Sequence, residues 1–157
     1  MSQTITPFLW FNDNAEEAVN FYISVFKDGR VTDVTRYGDT GPGPKGQVMT
    51  MAFELNGQQF TALNGGPHFK FTEAISFVVK CETQEEIDYY WDKLLDGGEA
   101  SHCGWLKDKF GLSWQVVPAE IRKFFGSDDP VRTARVIEAM MPMAKFDIAK
   151  LQEAYEG

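Results

Sequence analysis

From Ile5 to Phe11 (ITPFLWF) nearly every residue is apolar, the pattern of a strand covered on both faces. Asn12-Asp13-Asn14 interrupts the run with side chains suited to capping a helix, and Glu16 and Glu17 then stand where negative charge favours a helix N-terminus. The period changes at this point. Ala15, Ala18, Val19, Tyr22 and Phe26 recur at intervals of three and four, forming one stripe of a helix that Asp28-Gly29 ends. Arg30 to Tyr37 predicts a second strand, and Gly38 to Gly46 (GDTGPGPKG) a Gly/Pro loop. From Gln47 to Leu55 the period is two, with Met49, Met51, Phe53 and Leu55 set against Thr50, Ala52 and Glu54. Asn56-Gly57 is a two-residue hairpin turn leading back through Gln58 to Asn64, and Gly65-Gly66-Pro67 closes the unit as strand–helix–strand–strand–strand.

The same order begins again. Ala74 to Lys80 reads as a strand, Glu82-Thr83 as a cap, and Ile87, Tyr90, Trp91 and Leu94 as the buried stripe of a helix ended by Gly97-Gly98. About twenty residues then remain before Pro118, so the last strands must be short, in parts of Glu99 to Lys107 and in Leu112 to Val117. The repetition extends to residue identities. Ala15 to Gly29 (AEEAVNFYISVFKDG) returns 68 positions later as Thr83 to Gly97 (TQEEIDYYWDKLLDG), with Glu17 on Glu85, Tyr22 on Tyr90 and Asp28-Gly29 on Asp96-Gly97. Such a spacing is too long for a solenoid period and fits only two copies, so one folding unit has been duplicated and fused. Beyond Pro118 the pattern is helical: a short helix over Ala119 to Phe125, a second capped within Ser127-Asp128-Asp129 with Pro130 in its first turn, and a third over Phe146 to Tyr155. Met140, Met141 and Met143 around Pro142 suit adaptable packing, and these helices are expected to cover a sheet edge or a dimer seam.

Composition narrows the function. A chain of 157 residues, 43% hydrophobic and 14% aromatic, is a globular protein of one domain or of two small modules sharing a core. Its formal charge of -8, with no basic run, excludes the cationic face that a nucleic acid or an anionic membrane requires. No apolar stretch approaches a bilayer span, and Cys81 and Cys103 form neither a disulfide framework nor a zinc pattern; a cytoplasmic protein with reduced thiols is expected.

Trp105 to Val116 (WLKDKFGLSWQV) carries a recognisable signature. It is similar to the last two strands of the vicinal oxygen chelate superfamily, the fold of glyoxalases, bleomycin-resistance proteins and dioxygenases, in which an aromatic pair and a basic residue precede Asp-Pro-x-Gly and a Glu follows. Trp105, Leu106, Lys107, Asp108 and Gly111 fit, with Lys109 in place of the proline. The opening ITPFLWF, the helix carrying Phe21-Tyr22, the loop Leu63 to Pro67 (LNGGP) and Ala74 to Phe77 (AISF) resemble the narrower PhnB-like branch, also labelled demethylubiquinone methyltransferase-like. The resemblance covers Ile5 to Pro118. It implies an α+β fold of two paired βαβββ modules, about 5–67 and 72–118, forming a half-open barrel around one cavity, with C-terminal helices at 119–157, and commonly a homodimer.

In metal-dependent members of the superfamily, His and Glu or Asp ligands come from the first and last strands of both modules. Here the first position falls near Pro7, no acid occurs from Gln58 to Pro67, the opening strand of module two offers Ala74, Ile75 or Ser76, and the final Glu is Gln115. An amide is a poor ligand for a divalent ion without anionic neighbours, so neither a metal nor any other cofactor is expected. The methyltransferase label finds no support either, because no strand leads into a Gly-rich turn and helix of the kind that holds a nucleotide-like cofactor.

If Gln115 faces the cavity, Trp114 and Val116 face the covering helix, and Ser113 shares the Gln115 side. Ser76, Val78, Leu9 and Phe11 are expected on the same wall, which suits a small organic molecule; alternatively, side chains fill the space and Gln115 bonds a neighbour. Asn64 on the family loop, Trp105 near the turn and His68 at the cavity mouth complete the expected ligand-binding set. Packing is the competing role for Trp105 and a plain loop position for His68. His102 and Cys103, as adjacent strand residues, would point to opposite faces and make no dyad, and Asp108 reads as a turn residue accepting backbone N–H bonds. Three readings follow: a metal-free small-molecule-binding homodimer, a small-molecule enzyme (lyase, isomerase or transferase type) using the same cavity, or a drug- or toxin-sequestering protein of resistance type.

Overall fold

Each half of the chain places its first strand parallel to its last. The computed structural model describes residues 3–157, which divide after Phe71 into two compact units. In the first, β1 (Phe8–Phe11), α1 (Ala15–Val25), β2 (Arg30–Arg36), β3 (Val48–Leu55) and β4 (Gln58–Asn64) form a four-stranded sheet of order β1-β4-β3-β2. In the second, β5 (Ser76–Cys81), α2 (Gln84–Leu95), β6 (Glu99–Ala100), β7 (Trp105–Lys107) and β8 (Ser113–Pro118) repeat that topology as β5-β8-β7-β6. β1 runs parallel to β4 and β5 parallel to β8, while the remaining pairs are antiparallel. The two βαβββ modules of a glyoxalase-like fold are therefore present, and α3 (Ile121–Phe125), α4 (Pro130–Met140) and α5 (Ile148–Glu156) follow them.

The duplicated helices carry the stripes read from the sequence. Ala15, Ala18, Val19, Tyr22 and Val25 are buried on α1, and Ile87, Tyr90, Trp91 and Leu94 on α2. Tyr22 stacks on Phe53 of β3, at 6.5 Å between ring centroids, which marks the helix-covered face of the first sheet. The equivalent pairs Phe21–Tyr22 and Tyr89–Tyr90 keep their rings together at 5.6 and 5.1 Å.

Capping separates the two copies. Thr83 Oγ1 accepts from Glu86 N–H at 3.1 Å and Glu86 returns a carboxylate oxygen to Glu82 N–H, a reciprocal cap of α2. Thr83→Ala should cost about 1 kcal/mol, read as a lower urea midpoint at unchanged slope; a loss under a few tenths would show that packing alone sets this helix start. At α1 the expected cap is corrected. Asn14 makes no side-chain cap bond, and the N–H of Ala15 is taken by Asn64 Oδ1 at 2.9 Å, from the far end of β4.

Two further expectations change. β1 begins only at Phe8, and Ile5 and Phe8 are exposed, so the opening run is not covered on both faces. In β3, Thr35 pairs Thr50 but Arg36 pairs Val48, a bulge that leaves out Met49 and buries Val48 in its stead. The hairpin turn holds as expected: Asn56 and Gly57 both have positive φ, 48° and 82°, the left-handed pair that an Asn-Gly turn supplies at least strain.

The C-terminal helices pack around Phe124, Val136 and Leu151 and dock within the second unit. The N–H groups of Cys103 and Gly104 donate to the carbonyls of Met143 and Ala144, both at 2.8 Å. Gln84 of α2 donates to the Phe146 carbonyl at 2.9 Å and accepts from Ile148 N–H at 2.8 Å. What they cover is the β6–β7 turn and the start of α2.

Candidate functional site

Strand parity decides which side chains can meet a ligand. On β8, Trp114 and Val116 are buried beneath α2, so Ser113 and Gln115 lie on the opposite side of the sheet. The register sets Lys107 of β7 and Ser76 of β5 on either side of Ser113, and Trp105 and Val78 on either side of Gln115. Glu99 of β6 continues the first row past Lys107. Four adjacent strands thus present Glu99, Lys107, Ser113 and Ser76 in one polar row, beside a second row of Trp105, Gln115 and Val78. The Gln115 amide donates to Ser76 Oγ at 2.9 Å, and both residues are half-buried. Trp105 is half-buried on this face too, outside the helix-covered core.

Ser113 differs from its neighbours. It is 1% exposed, and among the described residues its hydroxyl has no hydrogen-bond partner. A cleft of about 200 Å³ opens beside it, lined by Glu73, Glu99, Ser101, Trp105 and Lys107 among others. Lys107 Nζ is ion-paired with Glu73, which holds the Glu73 carboxyl below and the Lys107 ammonium above their usual ranges. Of this cleft, sequence reasoning named Ser113 and Trp105 as ligand contacts and passed over Lys107, Glu73 and Glu99. The signal was available: a tight Asp108–Gly111 turn pairs residue 107 with 113 and 105 with 115, which puts Lys107 on the Ser113 side.

In the first module the expected wall is corrected. Leu9 and Phe11 pair with Ala62 and Asn64, and through β4 and β3 they share a face with Phe60, Met51 and Phe53, the side on which Tyr22 of α1 packs. At 6% and 3% exposure they belong to the core beneath the helix, and Trp10 takes the opposite face of β1. Asn64 is buried, with its amide divided between Ala15 N–H and the Val48 carbonyl and its own carbonyl accepting from Tyr37 Oη at 2.5 Å. Its hydrogen bonds go to the fold. The Gly-Gly of LNGGP serves Trp10: a Cβ on Gly65 would come within 2.4 Å of that ring, and Trp10 Nε1 donates to the Gly66 carbonyl. His68 is exposed at the rim of a separate cleft of about 330 Å³, formed by Asn12, Asp13, Pro42 to Pro44, Gln47 and the turn from Gly65 to Pro67.

The Cys81 thiol is not placed for nucleophile chemistry, and His102 and Cys103 form no dyad. Burial pushes the Cys81 thiol up to about 12, far from a thiolate at neutral pH. His102 and Cys103 lie in the turn before β7, not on a strand; Cys103, at φ 55°, turns its sulfur to the Met140 carbonyl and His102 is exposed. Asp108 is buried and accepts from Phe110 N–H, Leu112 N–H and Trp114 Nε1, the structural use expected of it.

The donor set does not suit a divalent metal. No cluster of three or more His, Cys, Asp or Glu side chains occurs among the described residues, and Gln115, where the resemblance leads one to expect a Glu ligand, is bonded to a serine hydroxyl. A nucleotide-like methyl donor fits no better, because the strand-to-helix turns Asn12–Asn14 and Glu82–Thr83 contain no glycine to bring backbone close to such a group.

Comparison with known proteins agrees with the fold of the two modules. The model of the 3-demethylubiquinone-9 3-methyltransferase family matches residues 3–117, both modules without the helices that follow. Among solved structures, a PhnB protein from Bacillus cereus is 41% identical, covering 73% of this chain and 99% of its own, with a TM-score of 0.67. Protein PA1353 from Pseudomonas aeruginosa is 21% identical over 74% of this chain and 98% of its own, with a TM-score of 0.63. The fosfomycin resistance protein FosX from Listeria monocytogenes, solved with Mn(II) and sulfate, shares the fold at 13% identity and a TM-score of 0.56, over 80% of this chain and 97% of its own. No curated protein matches.

Proposed function

The chain belongs to the 3-demethylubiquinone-9 3-methyltransferase family, of PhnB type, and we propose that it is a metal-independent binding protein for a small organic molecule. The ligand lies against the open face of the second module's sheet, on Gln115, Ser76, Ser113 and Trp105. The observation that carries this reading is Ser113, a hydroxyl buried without a partner beside a cleft. A buried polar group left unpaired costs free energy, and a ligand that pairs it recovers that cost. Trp105 adds a flat apolar surface next to the Gln115 amide, so a ligand here would meet one aromatic face among polar groups that can fix its orientation. Fragment screening by ligand-observed NMR is the direct test. Hits should perturb the resonances of Ser76, Ser113 and Gln115, and their absence from this face would refute the reading.

The same reading takes the protein as a homodimer. Each sheet has open edges, and Phe8, Val31, Val34, Ile75 and Val78 are exposed apolar side chains on or beside the edge strands β1, β2 and β5. Such edges pair with further chains unless covered. Sedimentation at micromolar concentration should give twice the monomer mass, and a monomer at that concentration would count against the assembly. No helix among the described residues is long and apolar enough to cross a membrane.

A further inference from the structure

The geometry points to a subsite for a small organic carboxylate between Lys107 and Ser113, which the Glu73 side chain occupies until the ligand displaces it. This deepens the reading of the open face and rests on it. Three observations meet here. Ser113 and Lys107 are direct cross-strand neighbours, so their side chains leave the same face of the sheet next to each other, and both line the same cleft. The Ser113 hydroxyl, buried and unpartnered, has a proton to donate and nothing to receive it. The Lys107 ammonium is already engaged by a carboxylate, that of Glu73, in the stretch leading into β5. Glu73 is well exposed, with 61% of its side-chain surface open to solvent, and it makes this contact from outside the sheet. It therefore marks where a carboxylate sits in this cleft, but it leaves Ser113 unpaired.

A ligand carboxylate with one oxygen toward Lys107 Nζ and the other toward Ser113 Oγ would satisfy both donors. Two charge-assisted bonds would then replace the single exposed ion pair. Glu99 lies across from Lys107 in the same row and offers an acceptor to a ligand hydroxyl or amine. The preferred ligand is thus a carboxylate with a hydrogen-bond donor on the neighbouring carbon. The cleft, about 200 Å³ against the roughly 30 Å³ that a water molecule occupies in the liquid, takes the acid end of such a molecule and leaves its remainder to Trp105 and Gln115.

Glycolate is the probe, titrated into the full-length protein and followed through backbone amide shifts, with methylammonium as the counter-probe. Glycolate should bind in the millimolar range expected of so small a fragment and shift Lys107 and Ser113, whereas methylammonium should not. Ser113→Ala should weaken glycolate at least tenfold. That variant should fold at least as stably as the natural protein, because it removes only an unpaired hydroxyl. Glu73→Gln should tighten glycolate several-fold by removing the competing carboxylate, a gain that a purely structural ion pair would not give. Unchanged or weaker binding in Glu73→Gln, full binding in Ser113→Ala, or methylammonium shifting the same resonances would each overturn the subsite. If neutral fragments bind at Gln115 while glycolate does not, the subsite falls and the binding face stands. If no probe perturbs Ser76, Ser113 or Gln115, both fall.

Discussion

Replacing Asp108 by alanine should lower the free energy of unfolding by about 3 kcal/mol or more, since several buried donors lose a charged acceptor at once. One carboxylate oxygen accepts from Phe110 N–H at 2.8 Å and Leu112 N–H at 3.1 Å, and the other from Trp114 Nε1 at 2.9 Å. The side chain is 3% exposed, so water cannot take its place without opening the turn. The turn also sets the start of β8, and with it the row containing Ser113 and Gln115, so open-face binding should weaken along with stability. Asp108→Asn gives the finer test. Its carbonyl oxygen can still receive the two backbone donors, but its NH₂ then faces the indole N–H, and about 1–2 kcal/mol should be lost. Urea unfolding with an unchanged slope checks both values. A loss below 1 kcal/mol for the alanine variant would mean that the Gly111 turn and the β7–β8 ladder hold this corner unaided.

Gln115→Leu should have the opposite profile. A ligand bound on the open face should lose about 1–3 kcal/mol of affinity when a polar group of its own is left unpaired, a factor of roughly five to 150. Stability should change by less than about 1 kcal/mol, because the protein partner released among the described residues is the half-buried Ser76 hydroxyl, which water can reach. Isothermal titration with a fragment hit and urea unfolding, run on the same preparation, separate the two effects. Unfolding of the variant would make Gln115 structural, and unchanged fragment affinity would remove it from the pocket.

Where side chains repeat with a clear period, the sequence alone located elements well. The stripes of α1 and α2, the Asn56-Gly57 turn and the duplication at a spacing of 68 residues are local patterns or direct comparisons of residues. The failures share a physical origin. ITPFLWF has no alternation, so nothing local says which of its side chains face the helix; that is set by the parallel pairing of Leu9 with Ala62 and Phe11 with Asn64, half a module away. Asn64 resembles a site residue on a loop, yet it caps a helix that begins 49 positions earlier, a contact made only by the closed sheet. Met49 fitted its alternation until a bulge shifted it, and a bulge depends on the partner strand as much as on its own. In module two the Ser113 and Gln115 parity was readable because Trp114 and Val116 flank them as an apolar pair in a short strand, whereas Glu73 reaches Lys107 from outside any periodic element.

The parallel closure of each sheet has a consequence for the order in which the molecule is made. Phe8 pairs with Thr61, 53 residues further on, and Ser76 with Ser113, 37 further on. Until β4 has emerged from the ribosome, β1 has no strand to lie against and the N–H of Ala15 lacks the Asn64 oxygen that receives it. The nascent first module therefore waits, with Leu9 and Phe11 uncovered, for almost its whole length to be synthesised, because pairing so distant in sequence carries its loop-closure entropy before any contact repays it. The second module closes over a shorter span, but its docked helices lie further on still, so the segment from Met143 to Ile148 becomes available to the Cys103–Gly104 turn and Gln84 only after β8 has been synthesised. If each sheet closes as soon as its partner strand is available, the chain would mature in three successive closures, and a ribosome pausing before Thr61 would hold the apolar strand β1 open longest.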